Sequence, residues 1–180
     1  MNKPSFTPFP EIHTDRLVLR PLKPEDAPII FNYQRYKDNF PHVDMPVYEN
    51  LQEAEAYIEK MKAGVSKDHW IIWGIADPDT DEVLGSISIW NINLETATAE
   101  FGYGLYPGNS GKGYMTEALL AASEYGLHTL GFVHLEAYTN VENAPSLALL
   151  ERCGFVKTKE ITEETSDGQA MTMAVYVIEA

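Results

Sequence analysis

Residues 103–118 of the chain read YGLYPGNSGKGYMTEA. Alternating apolar residues up to Tyr106 predict a β-strand, and apolar residues at helical spacing from Tyr114 onward predict a helix. The glycines between them let the backbone approach a ligand without Cβ clashes, and the free N–H groups of a first helical turn attract phosphate oxygens. The segment therefore predicts a strand, a phosphate-binding turn and a helix, in that order.

Two well-known phosphate motifs do not fit this turn. A Walker A loop would require glycine at Tyr106, and a dinucleotide fingerprint that started at Gly111 would require glycine at Thr116. NTPase and Rossmann-type binding are therefore disfavoured. A glycine turn that serves only tight packing remains the alternative to a ligand site.

The sequence before this turn predicts antiparallel strands accompanied by two helices. Apolar and polar residues alternate in the strands, and short polar connections separate the last three. The predicted strands are Arg16–Leu22, His69–Ala76, Val83–Ile92 and Thr96–Tyr106, and the predicted helices begin at Pro24 and span Leu51–Met61. The stretch between the two helices, Arg35–Tyr48, is rich in Pro, Asn and Asp and predicts a loop.

The sequence after the turn predicts a βαβ unit that ends in a hairpin. Asn143 is a favourable N-cap, and Gly154 suits the position just past a helix end. The predicted elements are helices over Tyr114–Thr129 and between Asn143 and Gly154, and strands over Phe132–Thr139, Phe155–Ile161 and Ala170–Ile178. The predicted fold class is α/β (α+β), a twisted mixed sheet of about six to seven strands flanked by about four helices.

Length and composition predict a single domain over residues 1–180. The net charge of −14 would repel a phosphate backbone, so nucleic-acid binding is disfavoured. The single Cys153, the N-terminus without an apolar signal core and the lack of a long apolar run predict a cytoplasmic protein that does not insert into a membrane. The five histidines lack metal-ligand spacing, so no metal is expected.

Three segments, in order along the chain, resemble the GNAT superfamily of acetyltransferases, and in particular its Rim type, which modifies the N-termini of ribosomal proteins. They are TDRLVLRPL at 14–22, GKGYMTEA at 111–118, and NAPS at 143–146 followed by ERCGF at 151–155. One departure is Ser110, where the superfamily usually has Gln or Arg and Rim-type members often have an aromatic residue. This departure bears on the subfamily more than on the cofactor.

The resemblance implies a GNAT fold whose central strands splay apart at an acetyl-CoA site. It implies that the backbone of Gly111, Lys112, Gly113, Tyr114, Met115 and Thr116 binds the pyrophosphate of CoA. It also implies that the strand Tyr103-Gly104-Leu105 pairs with the pantetheine arm and that Asn143 faces the same arm. The Lys112 side chain either contacts a phosphate or points to solvent.

Acetyl transfer to an amine requires a base and an acid. Glu100 is the leading base, because in the alternating strand it shares a face with Gly102 and Gly104, and similar enzymes carry an acid near this position. Its alternative is a solvent-facing carboxylate, since a one-residue shift in register would reverse its face. The resemblance to Rim-type enzymes makes Ser146 the candidate acid, although a serine in a first helical turn can instead satisfy local backbone groups. Tyr103, Tyr114 and Tyr138 are alternative acids.

The resulting hypothesis is an acetyl-CoA-dependent N-acetyltransferase that acetylates a primary amine, either a protein N-terminus or a small molecule, by direct attack. Cys153 lies at a helix end, where a covalent nucleophile is disfavoured. A monomer or a homodimer is expected. The alternative is a CoA-binding regulatory or interaction module with little catalytic activity.

The amine is expected to enter opposite the cofactor. The two early helices and the loop around Phe40–Tyr48 would form the walls of its pocket. Four residues of this region, Phe40, His42, Tyr48 and Trp70, either line that pocket or pack in the core.

Overall fold

A computed structural model describes all 180 residues as a mixed eight-stranded sheet with four α-helices. The strands are β1 Ile12–His13, β2 Val18–Arg20, β3 Ile71–Ala76, β4 Val83–Asn93, β5 Thr98–Leu105, β6 His134–Asn140, β7 Val156–Glu164 and β8 Ala170–Glu179. The helices are α1 Ala27–Gln34, α2 Leu51–Ser66, α3 Tyr114–Glu124 and α4 Ala144–Arg152. Their order in the sheet is β1-β2-β3-β4-β5-β6-β8-β7, antiparallel except for the parallel pair β5 and β6.

The predicted fold class is confirmed, with slightly more strands than expected. The additional strand is β1, whose two residues are too few to show a period of two in sequence. Helix α2 also continues past Met61, because Gly64 and Val65 are buried and belong to its packed face. The predicted helix that starts at Tyr114 ends as a π-helical turn over Tyr125–Thr129.

Capping residues fix where the helices begin. The Asn50 side chain accepts a hydrogen bond from the Glu53 amide, and the Glu53 carboxylate accepts from the Asn50 amide, so α2 starts with a capping box. Asn143 caps α4 as predicted, because its Oδ1 accepts from the Ser146 amide at 3.3 Å. This cap places Ser146 in the first turn of α4.

The helices cover opposite faces of the sheet. The Trp73 ring meets Tyr125 edge-on at 5.7 Å, and Ile89 lies against Gly126, so α3 and the π-helical turn pack on the face of these odd-numbered residues. The alternate residues Ile72 and Ser88 face α1 and α2. Because Glu100 pairs with Trp90 in the register of β4 and β5, its side chain lies on the α1–α2 face.

A buried ion pair fixes α1 on the sheet. The guanidinium of Arg20, in β2, donates two hydrogen bonds of 2.9 Å to the carboxylate of Asp26, which immediately precedes α1. Both side chains are almost fully buried, so the pair has a defined geometry. It anchors α1, the helix that carries Tyr33, to β2.

The central strands splay apart, as predicted. Strands β5 and β6 pair only from Thr98 with His134 to Phe101 with Ala137. Beyond this point, Gly102–Leu105 stays paired with β4, whereas the last residues of β6 pair only with β8. The edge of β5 that faces β6 is therefore free beyond Phe101.

Candidate active site

A cavity of about 700 Å³ opens where β5 and β6 separate. We call it the cofactor cleft. Of the ten residues predicted to bind the cofactor, nine line it: Tyr103, Gly104, Leu105, Gly111, Gly113, Tyr114, Met115, Thr116 and Asn143. The exception is Lys112, whose exposed side chain lies outside the cleft and 6.0 Å from the centre of the Tyr114 ring.

The glycine turn leaves the start of α3 open to this cleft. Gly111 and Gly113 have φ values of 75° and 78°, in the left-handed region that favours glycine. Gly113 is the N-cap of α3, and no side chain accepts a hydrogen bond from the first helical turn. The N–H groups of that turn and the helix dipole are therefore free to bind an anion.

A clamp from the N-terminal part of the chain holds the turn in place. The Arg16 guanidinium donates to the Lys112 carbonyl at 2.8 Å and to the Glu117 carboxylate at 2.7 Å. The Glu117 carboxylate also accepts from the Arg16 amide and the Thr14 hydroxyl. Burial acts to raise the pKa of Glu117, but these hydrogen bonds and the positive charge of Arg16 outweigh it and lower that pKa.

Arg152 is a cleft residue that sequence reasoning missed. It lies at the end of α4, lines the cleft, and donates to the Thr116 hydroxyl at 3.1 Å from Nη2. Its neighbours in sequence gave a signal for a helix end but none for a ligand, because its approach to α3 depends on how the two helices pack. Its guanidinium is the cationic side chain of the cleft lining that could reach an anion.

The Tyr103 and Ser146 side chains meet at the inner end of the cleft. Their hydroxyl oxygens lie 2.7 Å apart, with Ser146 buried and Tyr103 partly buried. Burial raises the pKa of Tyr103 to about 12, although the hydrogen bond with Ser146 opposes that shift. Tyr103 therefore stays protonated at neutral pH.

A second cavity, of about 510 Å³, adjoins the cleft on the α1–α2 face. We call it the acidic pocket, because Asp44, Glu100, Glu163 and Glu164 line it. The loop that carries Asp44 is fastened across the pocket, since the Asp44 carboxylate accepts from the amide and hydroxyl of Ser166 at 2.8 and 2.7 Å.

Glu100 lies in this pocket, on the face shared with Gly102 and Gly104. It is half-buried, and its carboxylate accepts a hydrogen bond from the Asn91 amide group. Burial raises the pKa of Glu100, and the negative charges of Glu136 and Glu163 raise it further against the opposing effect of Asn91. A carboxylate with a raised pKa is a stronger base than one in water.

Charge is segregated between the two cavities. No Asp or Glu lines the cofactor cleft, and no Lys or Arg lines the acidic pocket. The cavities meet at six residues that line both, namely Tyr33, His42, Val43, Tyr103, Asn143 and Ser146. An anionic ligand suits one side of this meeting point and a cationic ligand suits the other.

Of the four residues predicted either to line the amine pocket or to pack in the core, three line a cavity and one does not. Phe40 and His42 line the cofactor cleft, and Tyr48 lines a third cavity beneath α1 and α2. Trp70 lies away from these cavities, where its ring packs against Gly64 and its indole N–H donates to the Met61 carbonyl. Trp70 therefore belongs to the packing of α2.

The remaining candidate groups lie outside the chemistry of the site. Cys153 is buried, its thiol lies 3.9 Å from the Thr116 carbonyl oxygen, and burial raises its pKa. The chain has no group of three or more His, Cys, Asp or Glu side chains that could hold a metal ion. None of the helices combines the length and the hydropathy of a membrane span.

Comparison with known proteins agrees with this geometry. The acetyltransferase (GNAT) domain family matches residues 16–156. An uncharacterized N-acetyltransferase of Bacillus subtilis (strain 168), YoaA, is 30% identical over 149 residues, which cover 83% of this chain and 84% of that protein. The ribosomal protein uS5-alanine N-acetyltransferase of Escherichia coli (strain K12) is 29% identical over 161 residues, or 85% and 81% of the two chains.

A solved structure shows the same fold. The microcin C7 self-immunity acetyltransferase MccE, in complex with acetyl-CoA and AMP, superposes with a TM-score of 0.83 at 22% identity. The superposition covers 93% of this chain and 94% of that one. The likeness in fold extends beyond the matched family region, and that region contains the glycine turn, Glu100 and Ser146. The chain belongs to the GNAT acetyltransferase family.

Proposed function

We propose that this acetyltransferase binds acetyl-CoA in the cofactor cleft and acetylates a primary amine that enters through the acidic pocket. The observation that carries the proposal is the segregation of charge around Tyr103 and Ser146. A polyphosphate ligand avoids carboxylates and gains from the helix dipole, whereas an ammonium group is attracted to Glu100, Glu163 and Glu164. The reacting atoms would meet where the two cavities join.

The residues of the cleft fit the parts of the cofactor. The open start of α3, from Gly111 to Thr116, would hold the pyrophosphate, and Arg152 would add a charge-assisted hydrogen bond. The free edge of β5 at Tyr103–Leu105 would pair with the amide groups of the pantetheine arm, with Asn143 on the other side. Lys112 acts here through its backbone.

Glu100 is the proposed base. An amine must lose its proton before it can attack the acetyl carbonyl carbon, and Glu100 would accept that proton directly or through water. Its raised pKa and its position on the strand face shared with Gly102 and Gly104 support this role. The acidic wall would also concentrate cationic amines near it.

Ser146 is the proposed acid, supported by Tyr103. When the bond between the acetyl carbon and sulfur breaks, the thiolate takes a proton, and Ser146 lies where the cavities meet. The Tyr103 hydroxyl, 2.7 Å away and protonated at neutral pH, can donate a hydrogen bond to the Ser146 oxygen as its proton moves to sulfur, and water then restores the Ser146 proton. The buried Cys153 is unsuited to carry the acetyl group, which supports direct transfer.

The domain organisation, cellular location, oligomeric state and metal content are proposed as the sequence analysis predicts them. The chain would act as a single domain over residues 1–180, in the cytoplasm, as a monomer or homodimer and without a metal. The free thiol of Cys153 is compatible with a reducing compartment. The similarity to the uS5-alanine N-acetyltransferase supports a Rim-like enzyme, with an α-amine of a protein or a small-molecule amine as acceptor.

Release of free thiol from acetyl-CoA tests this function. Amino acid amides, peptides and polyamines would be compared with their N-acetylated counterparts, which have no free amine to acetylate. We expect thiol release only with free amines. Thermal stabilisation by CoA without turnover of any amine would favour a binding module instead.

A further inference from the structure

The third cavity has a volume of about 550 Å³ and lies between α1, α2 and the sheet. We call it the aromatic chamber. Its walls are mainly side chains of tyrosine and methionine: Tyr33, Tyr48, Tyr57, Tyr106, Met45 and Met61. The sheet forms its floor, where the polar groups are the hydroxyls of Ser86 and Ser88 in β4 and the backbone of Gly102 and Gly104. A volume of this size accommodates a large organic group.

The chamber adjoins the point where the other two cavities meet. It shares Tyr33 and Tyr103 with both other cavities, and it shares Gly102 with the acidic pocket. Gly104 has no side chain to fill this junction. A Cβ there would contact the Tyr33 hydroxyl, at a distance of 3.5 Å. A molecule whose amine lies beside Glu100 can therefore extend its body into the chamber.

The lining of the chamber carries no net negative charge that would attract a second cation. Its two charged lining residues are Glu53 and Lys60, both on the exposed side of α2. The Glu53 carboxylate already accepts from the amides of Glu49 and Asn50 at the start of the helix. Lys60 would repel a positively charged tail.

We propose that the aromatic chamber receives a large apolar or aromatic group attached beside the amine, so that the preferred acceptors are singly charged amines with an apolar body. Tyr33 is well placed to contact that group, since it is held by ring contacts with Phe40 and Tyr106 at 5.6 and 5.2 Å. Burial of apolar surface against tyrosine and methionine would supply the selectivity. The inference rests on the function proposed above.

A series of amino acid amides with the same α-amine tests the acceptor class. We expect kcat/KM for leucinamide and phenylalaninamide to exceed that for glycinamide by about tenfold or more, with lysinamide and spermidine below the apolar amides. Equal rates across the series, or a preference for lysinamide or spermidine, would overturn the inference but leave the function intact. If no amide, peptide or polyamine is acetylated while acetyl-CoA still binds, the proposed function itself is wrong.

A filled chamber provides the second test. Ala56 lines the chamber from the exposed side of α2, so Ala56→Phe should occupy the space without disturbing the core. The variant should lose the preference for phenylalaninamide over glycinamide while keeping its rate with glycinamide. Ala63→Phe, on the same exposed helix surface but outside the three cavities, is the matched control and should keep the preference. An unchanged preference in folded Ala56→Phe would show that the apolar group binds elsewhere.

Discussion

The Tyr103 hydroxyl oxygen lies 2.7 Å from the Ser146 hydroxyl oxygen, and this contact joins β5 to α4 at the meeting point of two cavities of different charge. The two residues are 43 positions apart in the chain. Ser146 is buried and Tyr103 is partly buried, so this hydrogen bond couples the two hydroxyls.

This pairing makes the effects of the two hydroxyls non-additive. We expect Ser146→Ala to lower kcat by roughly a hundredfold and Tyr103→Phe by a smaller factor. The double variant should be about as slow as Ser146→Ala, because removal of Ser146 also removes the benefit of Tyr103. Steady-state kinetics of the three variants measure this, and losses that simply multiply would indicate independent roles.

If Glu100 is the base, the kcat/KM of the enzyme should decrease at acidic pH. Only the deprotonated carboxylate accepts a proton, and its pKa is raised, so kcat/KM should fall as the pH drops through that raised value. Glu100→Gln should lower turnover by roughly a hundredfold, keep CoA affinity and recover partly at high pH. Unchanged turnover at every pH would exclude Glu100 as the base.

Glu136 provides a matched test of the same pKa. Its negative charge is one of the causes that raise the pKa of Glu100, and the Tyr138 hydroxyl donates to its carboxylate at 2.7 Å. Glu136→Gln should therefore shift the acidic limb of the pH–rate profile to lower pH and leave the plateau rate unchanged. A shift to higher pH, or no shift, would contradict the electrostatic assignment.

A side chain at Gly113 should weaken cofactor binding. A Cβ there would lie 3.2 Å from Nη2 of Arg16 and would occupy a left-handed backbone position, so Gly113→Ala should disturb the clamp and the start of α3. We expect CoA affinity, measured by calorimetry, to fall by about tenfold, and stability to fall by about 1–2 kcal/mol. Gly131→Ala has a similar φ of 81° and nothing within 4 Å, so it should cost stability without loss of CoA affinity. Equal CoA affinity in both variants would show that the turn is not part of the CoA-binding site.

Arg152 and Lys112 should differ in their effect on CoA affinity. Arg152 lines the cleft, whereas the Lys112 side chain does not. Arg152→Gln should reduce CoA affinity by about tenfold, with a weaker dependence on salt, because a charge-assisted hydrogen bond is lost. Lys112→Gln should change the affinity far less. Titration of both variants with CoA at two salt concentrations measures these affinities. A larger loss in Lys112→Gln than in Arg152→Gln would assign the phosphate contact to Lys112.

The clamp around Glu117 predicts a pH-dependent stability. Because hydrogen bonds and Arg16 lower its pKa in the folded state, the stabilisation is present above the unfolded-state pKa and is lost as the pH falls through the folded-state value. Glu117→Gln should reduce the free energy of unfolding by about 1–3 kcal/mol near neutral pH. Denaturant unfolding should show that the two proteins converge at acidic pH, and a constant difference would contradict this account.

The sequence predicted those parts of the site that depend on local pattern. The glycine turn was recognisable because strand and helix periodicity change on either side of Gly111 and Gly113. The face of Glu100 followed from alternation along one strand. In each case the relevant neighbours lie a few residues away, so spacing alone carries the information.

The rest of the site depends on contacts between distant segments. Arg16 meets Glu117 across 101 positions, and Asp44 meets Ser166 across 122. Arg152 reaches the cleft only because α4 packs beside α3, and the acidic wall needs the β7–β8 hairpin to lie against the loop at Asp44. No single segment indicated these contacts, and Trp70 could not be assigned to the core before the packing of α2 was known.

The free edge of β5 beyond Phe101 has a cost when the cleft is empty. Backbone groups along this edge have no partner in a neighbouring strand, although the edge lies inside the cleft and not at the rim of the sheet. A pantetheine arm lying along Tyr103–Leu105 would act as a temporary extra strand and shield this one. Bound acetyl-CoA would then stabilise the fold along this strand as well as supply the acetyl group.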